Sequence, residues 1–339
     1  MQKTESYNGV TYEYVQELGS GTYGTTWMAF ADGKKVAIKI FSRPGKLGQF
    51  EIDDIKEDWE IEINALKQML PKCCPHAVCI KDYWFENGAA KIVMDFVRGE
   101  TLSRHMLGSK KIPLRKRTHL LLKQLVAGID VIHSQGIVHQ DIKGDNIMFD
   151  YDLNDGQYRY IDFGLSCIAK GCSIQKEWPC GSIGTRYTAP EEIVKLRNKK
   201  AIIDRKVLEA HDYWSVGVVL LRWYTFDGSR KYYSSIVQGY AKTAKGVEKL
   251  ANEANCYSVF PYYFKFPDQM LLDEISKIKE PAARAIVGLL LEKDPVTRWH
   301  NFKTVKYIID PKAPLVKGTG HKGTGKWGDI KQSILKLRL

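Results

Sequence analysis

The chain has no apolar run approaching the roughly 20 residues that a bilayer-spanning helix needs, and its first residues, Met1-Gln2-Lys3-Thr4-Glu5, form no hydrophobic signal segment. These absences predict a soluble, intracellular protein of the cytoplasm or nucleus, with no transmembrane segment. Cysteine is scarce. Seven residues, an odd number with no leader, argue against a disulfide framework and for reduced thiols. Cys167, Cys172 and Cys180 lie close together, but they lack C-x₂-C spacing and an accompanying histidine, so no zinc site is expected. Acidic residues are also in the minority, 39 against 51 Lys and Arg, for a formal charge of +12. Lys312 to Leu339 carries seven basic residues and only Asp329 as an acid, so half the excess sits in this tail. Such a tail suits an acidic protein partner, nucleic acid or an anionic membrane surface; a solvated tail that aids solubility is the plainer alternative.

What is present is globular. A hydrophobic fraction of 44% with 27% charged residues supplies a core, and 339 residues suit one two-lobed domain or two ordinary ones. Residues 11–41 alternate apolar and polar positions with turns at Gly19–Gly24 and Asp32-Gly33, which predicts three antiparallel strands. Helical spacing follows over about 51–70, then a strand at Lys91–Val97. Pro113–Gln135 reads as a buried helix stopped by Gly136. A hairpin joins Ile147–Phe149 to Tyr158–Ile161, and helices return near 281–292 and 301–309. Residues 224–280 have no clear period.

The chemistry gathers around His139-Gln140-Asp141-Ile142-Lys143-Gly144-Asp145-Asn146. A carboxylate, a lysine two residues on and an amide five residues on are what phosphoryl transfer requires: a group to orient a hydroxyl, a cation for the γ-phosphate and an oxygen ligand for Mg²⁺. Upstream stands Gly19-Ser20-Gly21-Thr22-Tyr23-Gly24, a glycine-rich turn able to close over phosphates, with Lys39 in Val36-Ala37-Ile38-Lys39 fifteen residues after Gly24. Lys39 on an apolar strand needs an anion, because an unpaired buried ammonium is costly. Glu62, Glu60 and Glu57 are the candidates. Downstream lie Asp162-Phe163-Gly164 and Ala189-Pro190-Glu191. Each motif alone is a moderate or weak signal.

Five motifs in this order resemble the eukaryotic-type protein kinase family over roughly residues 10–310. The resemblance implies an α+β fold: a small antiparallel-sheet N-lobe with one main helix (1–97), a larger helical C-lobe (98–310) and a basic flexible tail (311–339). It implies ATP with Mg²⁺, or Mn²⁺ in its place. Leu18, Gly19, Ser20, Gly21, Thr22, Tyr23, Gly24, Ala37, Lys39, Met94, Asp95 and Val97 would bind the nucleotide, with Asp95 and Val97 offering backbone groups to the purine. Asp141, Lys143, Lys39 and Glu62 would form the catalytic set, and Asn146 and Asp162 would hold metal. Glu62 best matches the family's regulatory-helix acid. Asp212 would anchor the catalytic loop, and Arg298 would pair with Glu191. Lys143 points to serine or threonine as acceptor on a protein substrate.

Departures from the family pattern carry their own expectations. Gln140 replaces an arginine that pairs with a phosphorylated activation loop, so activity independent of such phosphorylation is expected. Gly184-Thr185-Arg186-Tyr187 is one residue shorter than usual between threonine and tyrosine, which leaves the role of Thr185 open. The basic stretch Glu192–Glu209 would either read an acidic substrate or stand solvated. The tail would dock as a short amphipathic helix on its own domain, a partner or a membrane. A monomer is expected. The rivals are a catalytically dead ATP-binding scaffold, which Lys39, Glu62, Asp141, Asn146 and Asp162 argue against, and a small-molecule kinase, which the Ala-Pro-Glu segment argues against.

Overall fold

The computed structural model describes residues 3–21, 24–42, 48–73, 75–86, 88–108, 114–153, 156–168, 189, 205–225 and 268–310. Its N-terminal half is a six-stranded antiparallel sheet in the order β1-β2-β3-β4-β6-β5, made of β1 Lys3–Tyr7, β2 Val10–Gly21, β3 Gly24–Ala31, β4 Lys34–Phe41, β5 Ile80–Glu86 and β6 Ala89–Asp95. Period-two burial sets the faces: Tyr12 and Tyr14 turn inward while Glu13 and Val15 face solvent. One face closes over Tyr12, Tyr14, Ile38, Trp84 and Val93. The short strand β1 was not legible in the sequence. It is fastened by side chains, with Tyr7 stacked on Trp84 at 4.5 Å and Glu5 bonded to Tyr14 and to Lys91.

The other face meets helix α1 (Gln49–Met69), whose Ile55, Glu62, Leu66 and Met69 form one buried stripe at helical spacing. Glu62 sits in that apolar stripe, whereas Glu57 and Glu60 face solvent. After α1 the structure corrects the expectation of reduced thiols. Cys73 and Cys79 form a disulfide with 5.4 Å between their Cα atoms, and Cys167 is disulfide-bonded too. Counting cysteines misses a bridge that closes a loop of six residues, because local chain geometry alone can bring such a pair together.

The C-terminal half is built on helices. Short α2 (Leu102–Gly108) and long α3 (Leu114–Ser134) lead to Gly136, whose φ of +75° turns the chain into strand β8 (Ile137–Val138). Strand β7 (Gly99–Thr101) pairs with β9 (Ile147–Asp150), which pairs in turn with β10 (Gln157–Tyr160). A two-residue strand, β11 (Cys167–Ile168), pairs with β8 and so ties the start of the activation segment to the catalytic loop's entry. Helix α4 (Arg205–Thr225) is buried almost all round, as a central helix must be. The last five residues of the basic stretch 192–209 thus begin this helix, and the rest of the stretch lies outside the described residues. Helices α5 (Asp268–Ser276), α6 (Pro281–Leu290) and α7 (Pro295–Ile309) follow, with Asp294 Oδ2 capping α7 by accepting from Thr297 N at 2.7 Å. Among the described residues no helix is long and apolar enough to cross a membrane.

Candidate active site

Two clusters face each other where the sheet meets the helices. In the first, Lys39 from β4 places Nζ 2.6 Å from Glu62 Oε2 on α1 and 2.8 Å from Asp162 Oδ1 beyond β10. Three separate elements must be in register for these contacts to form. Burial acts on each member differently. Burial alone would lower the Lys39 ammonium, but Asp162 and Glu62 outweigh it and hold the lysine charged, above its usual range. Burial pushes the Glu62 carboxyl up to about 7, Lys39 opposes that, and the neighbouring anion Asp162 adds to it. Burial also raises Asp162, but Lys39 overrides it and brings the carboxyl down to about 2. With two carboxylates sharing one ammonium, the more deeply buried one is the one that yields.

The second cluster is the loop after β8. Asn146 Nδ2 donates to the Asp141 carbonyl at 3.0 Å and to its Oδ2 at 2.8 Å, and Lys143 Nζ lies 2.7 Å from the same Oδ2. The Asp141 carboxylate is thereby fixed in direction. The backbone beneath is held by Asp212 of α4, wholly buried, which accepts from His139 N and Gln140 N at 2.8 Å each while His133 Nε2 lies 2.8 Å away. Burial would raise the Asp212 carboxyl, but His133 and the other nearby imidazoles hold it below its ordinary value. Gln140 takes a φ of +63° and Asp162 one of +60°, left-handed conformations uncommon outside glycine that the surrounding bonds stabilise. His139 packs its ring 4.8 Å from Phe163, which joins this loop to the Asp-Phe-Gly turn.

The residues expected on the nucleotide side are spread over β2, β3, β4, β6 and the segment that follows β6. Leu18, Gly19, Ser20 and Gly21 close β2 and Gly24 opens β3; Thr22 and Tyr23 lie outside the described residues. At Gly24 a Cβ would come 2.0 Å from the Ile40 carbonyl oxygen, and φ is +139°, so glycine is required there. Ala37 pairs in register with Met94, which is buried, and Val97, also buried, follows two residues after β6 ends at Asp95. Asp95 N donates to the Cys79 carbonyl at 3.0 Å, so its backbone N–H is already engaged. Its carboxylate accepts from Cys79 N and Arg159 and pairs with Lys81.

Arg159 was not singled out from the sequence. Buried on β10, it bonds Asp150 at 3.1 Å, Asp95 at 2.8 Å and the Ala77 carbonyl at 2.8 Å, and so fastens the helical half to the strand leading out of the sheet. Its only signal was a charge within an apolar strand. Glu191, expected to pair with Arg298, lies outside the described residues, as do Thr185 and Pro190. Arg298 itself is buried and bonds the carbonyls of Ala210 at 2.8 Å and Glu292 at 2.7 Å.

A divalent cation fits this donor set. Asp162 supplies a carboxylate that is partly exposed to the cleft, and with Asn146 Nδ2 engaged by Asp141, its amide oxygen is the atom left for a hard cation. Asp162 and Asn146 offer two protein ligands, and phosphate oxygens and water would complete the coordination of a hard cation.

Comparison with known proteins gives a consistent answer. The model of the protein kinase domain matches residues 12–307. The chain is 32% identical over 211 residues, 62% of its length, to the serine/threonine-protein kinase cds1 of Schizosaccharomyces pombe, of which this covers 43%. It is 30% identical over 297 residues, 86% of its length and 57% of the relative, to CBL-interacting protein kinase 5 of Oryza sativa subsp. japonica. It is 29% identical over 311 residues, 89% of its length and 61% of the relative, to CBL-interacting serine/threonine-protein kinase 20 of Arabidopsis thaliana. The chain thus spans about half the length of these relatives. With both clusters and this match in place, the chain belongs to the protein kinase family and has its two-lobed fold.

Proposed function

We propose that the protein is a serine/threonine protein kinase that transfers the γ-phosphate of ATP to protein hydroxyls. The observation that carries this reading is the joint geometry of the two clusters: Lys39 bonded at once to Glu62 and Asp162, facing an Asp141 carboxylate oriented by Lys143 and Asn146. Asp141 accepts a hydrogen bond from the acceptor hydroxyl and takes its proton. Lys143 neutralises charge on the transferring phosphoryl group, and Lys39 holds the inner phosphates. Bound at Asp162 and Asn146, Mg²⁺, or Mn²⁺ in its place, would shield the phosphate charges and align them for in-line attack. The glycines of the β2–β3 turn close over the phosphates, Ala37 lines the adenine pocket with Met94 at its back, and the Asp95 carbonyl with the Val97 N–H recognises the purine edge. Lys143 and the names of the relatives support serine or threonine as acceptor.

Activation-loop phosphorylation is dispensable in this reading. Gln140 directs Nε2 to Cys167 Sγ at 2.7 Å, so the position that would meet a phosphate instead holds the start of the activation segment. Phosphatase treatment should leave activity intact; its loss, with recovery on acidic replacement of a loop serine or threonine, would contradict this. We assign residues 1–97 to the nucleotide lobe, 98–310 to the catalytic lobe and 311–339 to a basic tail. We place a monomer in the cytoplasm or nucleus, where ATP is supplied, with the tail seeking an acidic partner, nucleic acid or membrane surface.

Labelled ATP with Mg²⁺ should give phosphoserine or phosphothreonine on the protein itself and on an acidic or basic test protein. Labelling of aminoglycosides or choline alone would favour a small-molecule kinase. ATP binding with no transfer to any acceptor would favour a scaffold.

A further inference from the structure

The segment from Cys73 to Cys79 connects α1 to β5 and touches both halves of the molecule on the way. Helix α1, which bears Glu62, continues through the single turn Leu70–Lys72 to Cys73. Beyond it the chain lies along β10: Val78 N donates to the Tyr160 carbonyl at 3.1 Å and Tyr160 N to the His76 carbonyl at 2.8 Å, two residues before Asp162. Arg159 adds a bond to the Ala77 carbonyl at 2.8 Å. Cys79 then closes on the end of β6, donating from N to Asp95 Oδ2 at 3.2 Å and accepting at its carbonyl from Asp95 N at 3.0 Å. Strand β6 pairs in turn with β4, Ile92 opposite Lys39. The loop thus adjoins the elements that carry Glu62 and Asp162 and lies one strand away from Lys39.

The Cys73–Cys79 bridge joins the two ends of this loop. With the bond in place, the end of α1 and the segment anchored on β10 and β6 form one cross-linked unit, and the alternative arrangements open to a linear loop are removed. Both cysteines are buried, but Leu70, Pro71, Lys72 and Pro75 around them are exposed, so local opening of the turn admits a small reductant. In the reducing cytoplasm or nucleus assigned above, a disulfide is seldom a permanent staple; there such bonds are usually transient and serve catalysis or redox sensing.

We propose that Cys73 and Cys79 are a site of reversible thiol–disulfide exchange, and that the bridged form holds α1 in the register at which Glu62 meets Lys39. The consequence for catalysis rests on the kinase reading above. A dithiol reductant opens the bridge through a mixed disulfide: its two thiols give up two electrons and two protons and close a disulfide of their own, while Cys73 and Cys79 take these up and become thiols. A small oxidised disulfide runs the exchange the other way and leaves as two thiols. In the dithiol form the end of α1 shifts relative to β10, Glu62 spends less time on Lys39 and transfer slows. Oxidation restores the register and raises the rate.

The test follows the bridge, the helix and the activity together. The full chain is equilibrated at a series of ratios of reduced to oxidised dithiothreitol; at each ratio free thiols are alkylated and mapped by mass spectrometry, backbone hydrogen exchange is read over residues 62–69, and transfer from labelled ATP is timed. Cys73 and Cys79 should become alkylated together, at the ratio where exchange speeds up at least about tenfold and transfer slows at least about fivefold, with full reversal on oxidation. Cys73→Ser/Cys79→Ser, which leaves the neighbouring Cys74 without Cys79 to pair with, should show fast exchange and slow transfer at every ratio. Should this variant not fold, the coincidence of alkylation and exchange in the wild type decides alone. Exchange that stays constant as the bridge opens, a redox response of the double variant equal to that of the wild type, which would assign it to Cys167, or the same change produced by a zinc chelator without any dithiol would each overturn the proposal. Exchange that follows the bridge with no transfer at any ratio would uphold it and contradict the kinase reading instead.

Discussion

The two halves of the active site are held together by opposite means. The catalytic loop hangs by its backbone from one buried carboxylate, Asp212, that belongs to a helix buried almost all round. The nucleotide side depends on Lys39 meeting Glu62 and Asp162, three side chains from three elements with only charge between them. A scaffold made of backbone bonds to a fixed acceptor survives movement of its surroundings, whereas a charge cluster exists only while all its elements are in register. The catalytic loop should therefore behave as a built part of the fold, and the Lys39 cluster as a reversible assembly.

The largest effect that separates them is on stability. Asp212→Ala leaves two buried amides and His133 without their acceptor, and should cost about 3–5 kcal/mol in chemical denaturation, with activity lost alongside. Lys39→Met should abolish transfer yet cost only about 1 kcal/mol near neutral pH, since Glu62 already titrates at about 7 and takes up a proton in place of its partner. Equal losses of stability in the two variants would erase the distinction.

A smaller effect is expected with pH. The carboxyl of Glu62 is raised in the folded protein from its ordinary value near 4.5 to about 7, so between those values the fold binds a proton that the unfolded chain has released. Its contribution to stability therefore declines as pH rises through that window. Activity runs the other way, because the ion pair with Lys39 needs the carboxylate: the rate should climb with pH up to about 7. In Glu62→Gln this acid limb should vanish and the remaining, lower rate should be flatter. Persistence of the limb would assign it to another group. The smallest expected effect concerns the start of the activation segment. Gln140→Leu, which loses the contact to Cys167, should lower activity by no more than about tenfold, because one neutral hydrogen bond is at stake.

Much of this arrangement was legible in the sequence because it is local. Gly19 to Gly24, Lys39, the loop from His139 to Asn146 and Asp162 each announce a backbone need or a charge with a defined task, at spacings that place them on one side of strands and turns. Glu62 was chosen over Glu57 and Glu60 only through the family resemblance, since all three share one helix and which face turns to the sheet is a tertiary fact. Arg159 was invisible for the same reason, as its partners Asp95, Asp150 and Ala77 come from separate segments. The Cys73–Cys79 bridge was missed because parity of the cysteine count says nothing about a pair six residues apart. Strand β1 lay hidden because Lys3–Tyr7 has little apolar alternation and owes its place to Trp84, Tyr14 and Lys91.

The most direct measurement is single-turnover transfer of the γ-phosphate to a protein acceptor by the wild type and by Asp141→Asn, with ATP affinity measured in parallel. The expected result is a fall in rate of about 10²–10⁴-fold with affinity for ATP within about twofold, since the variant removes the proton acceptor and leaves the nucleotide's contacts. Equal rates in the two proteins would contradict the assignment of Asp141, and with it the account of how the two clusters work together.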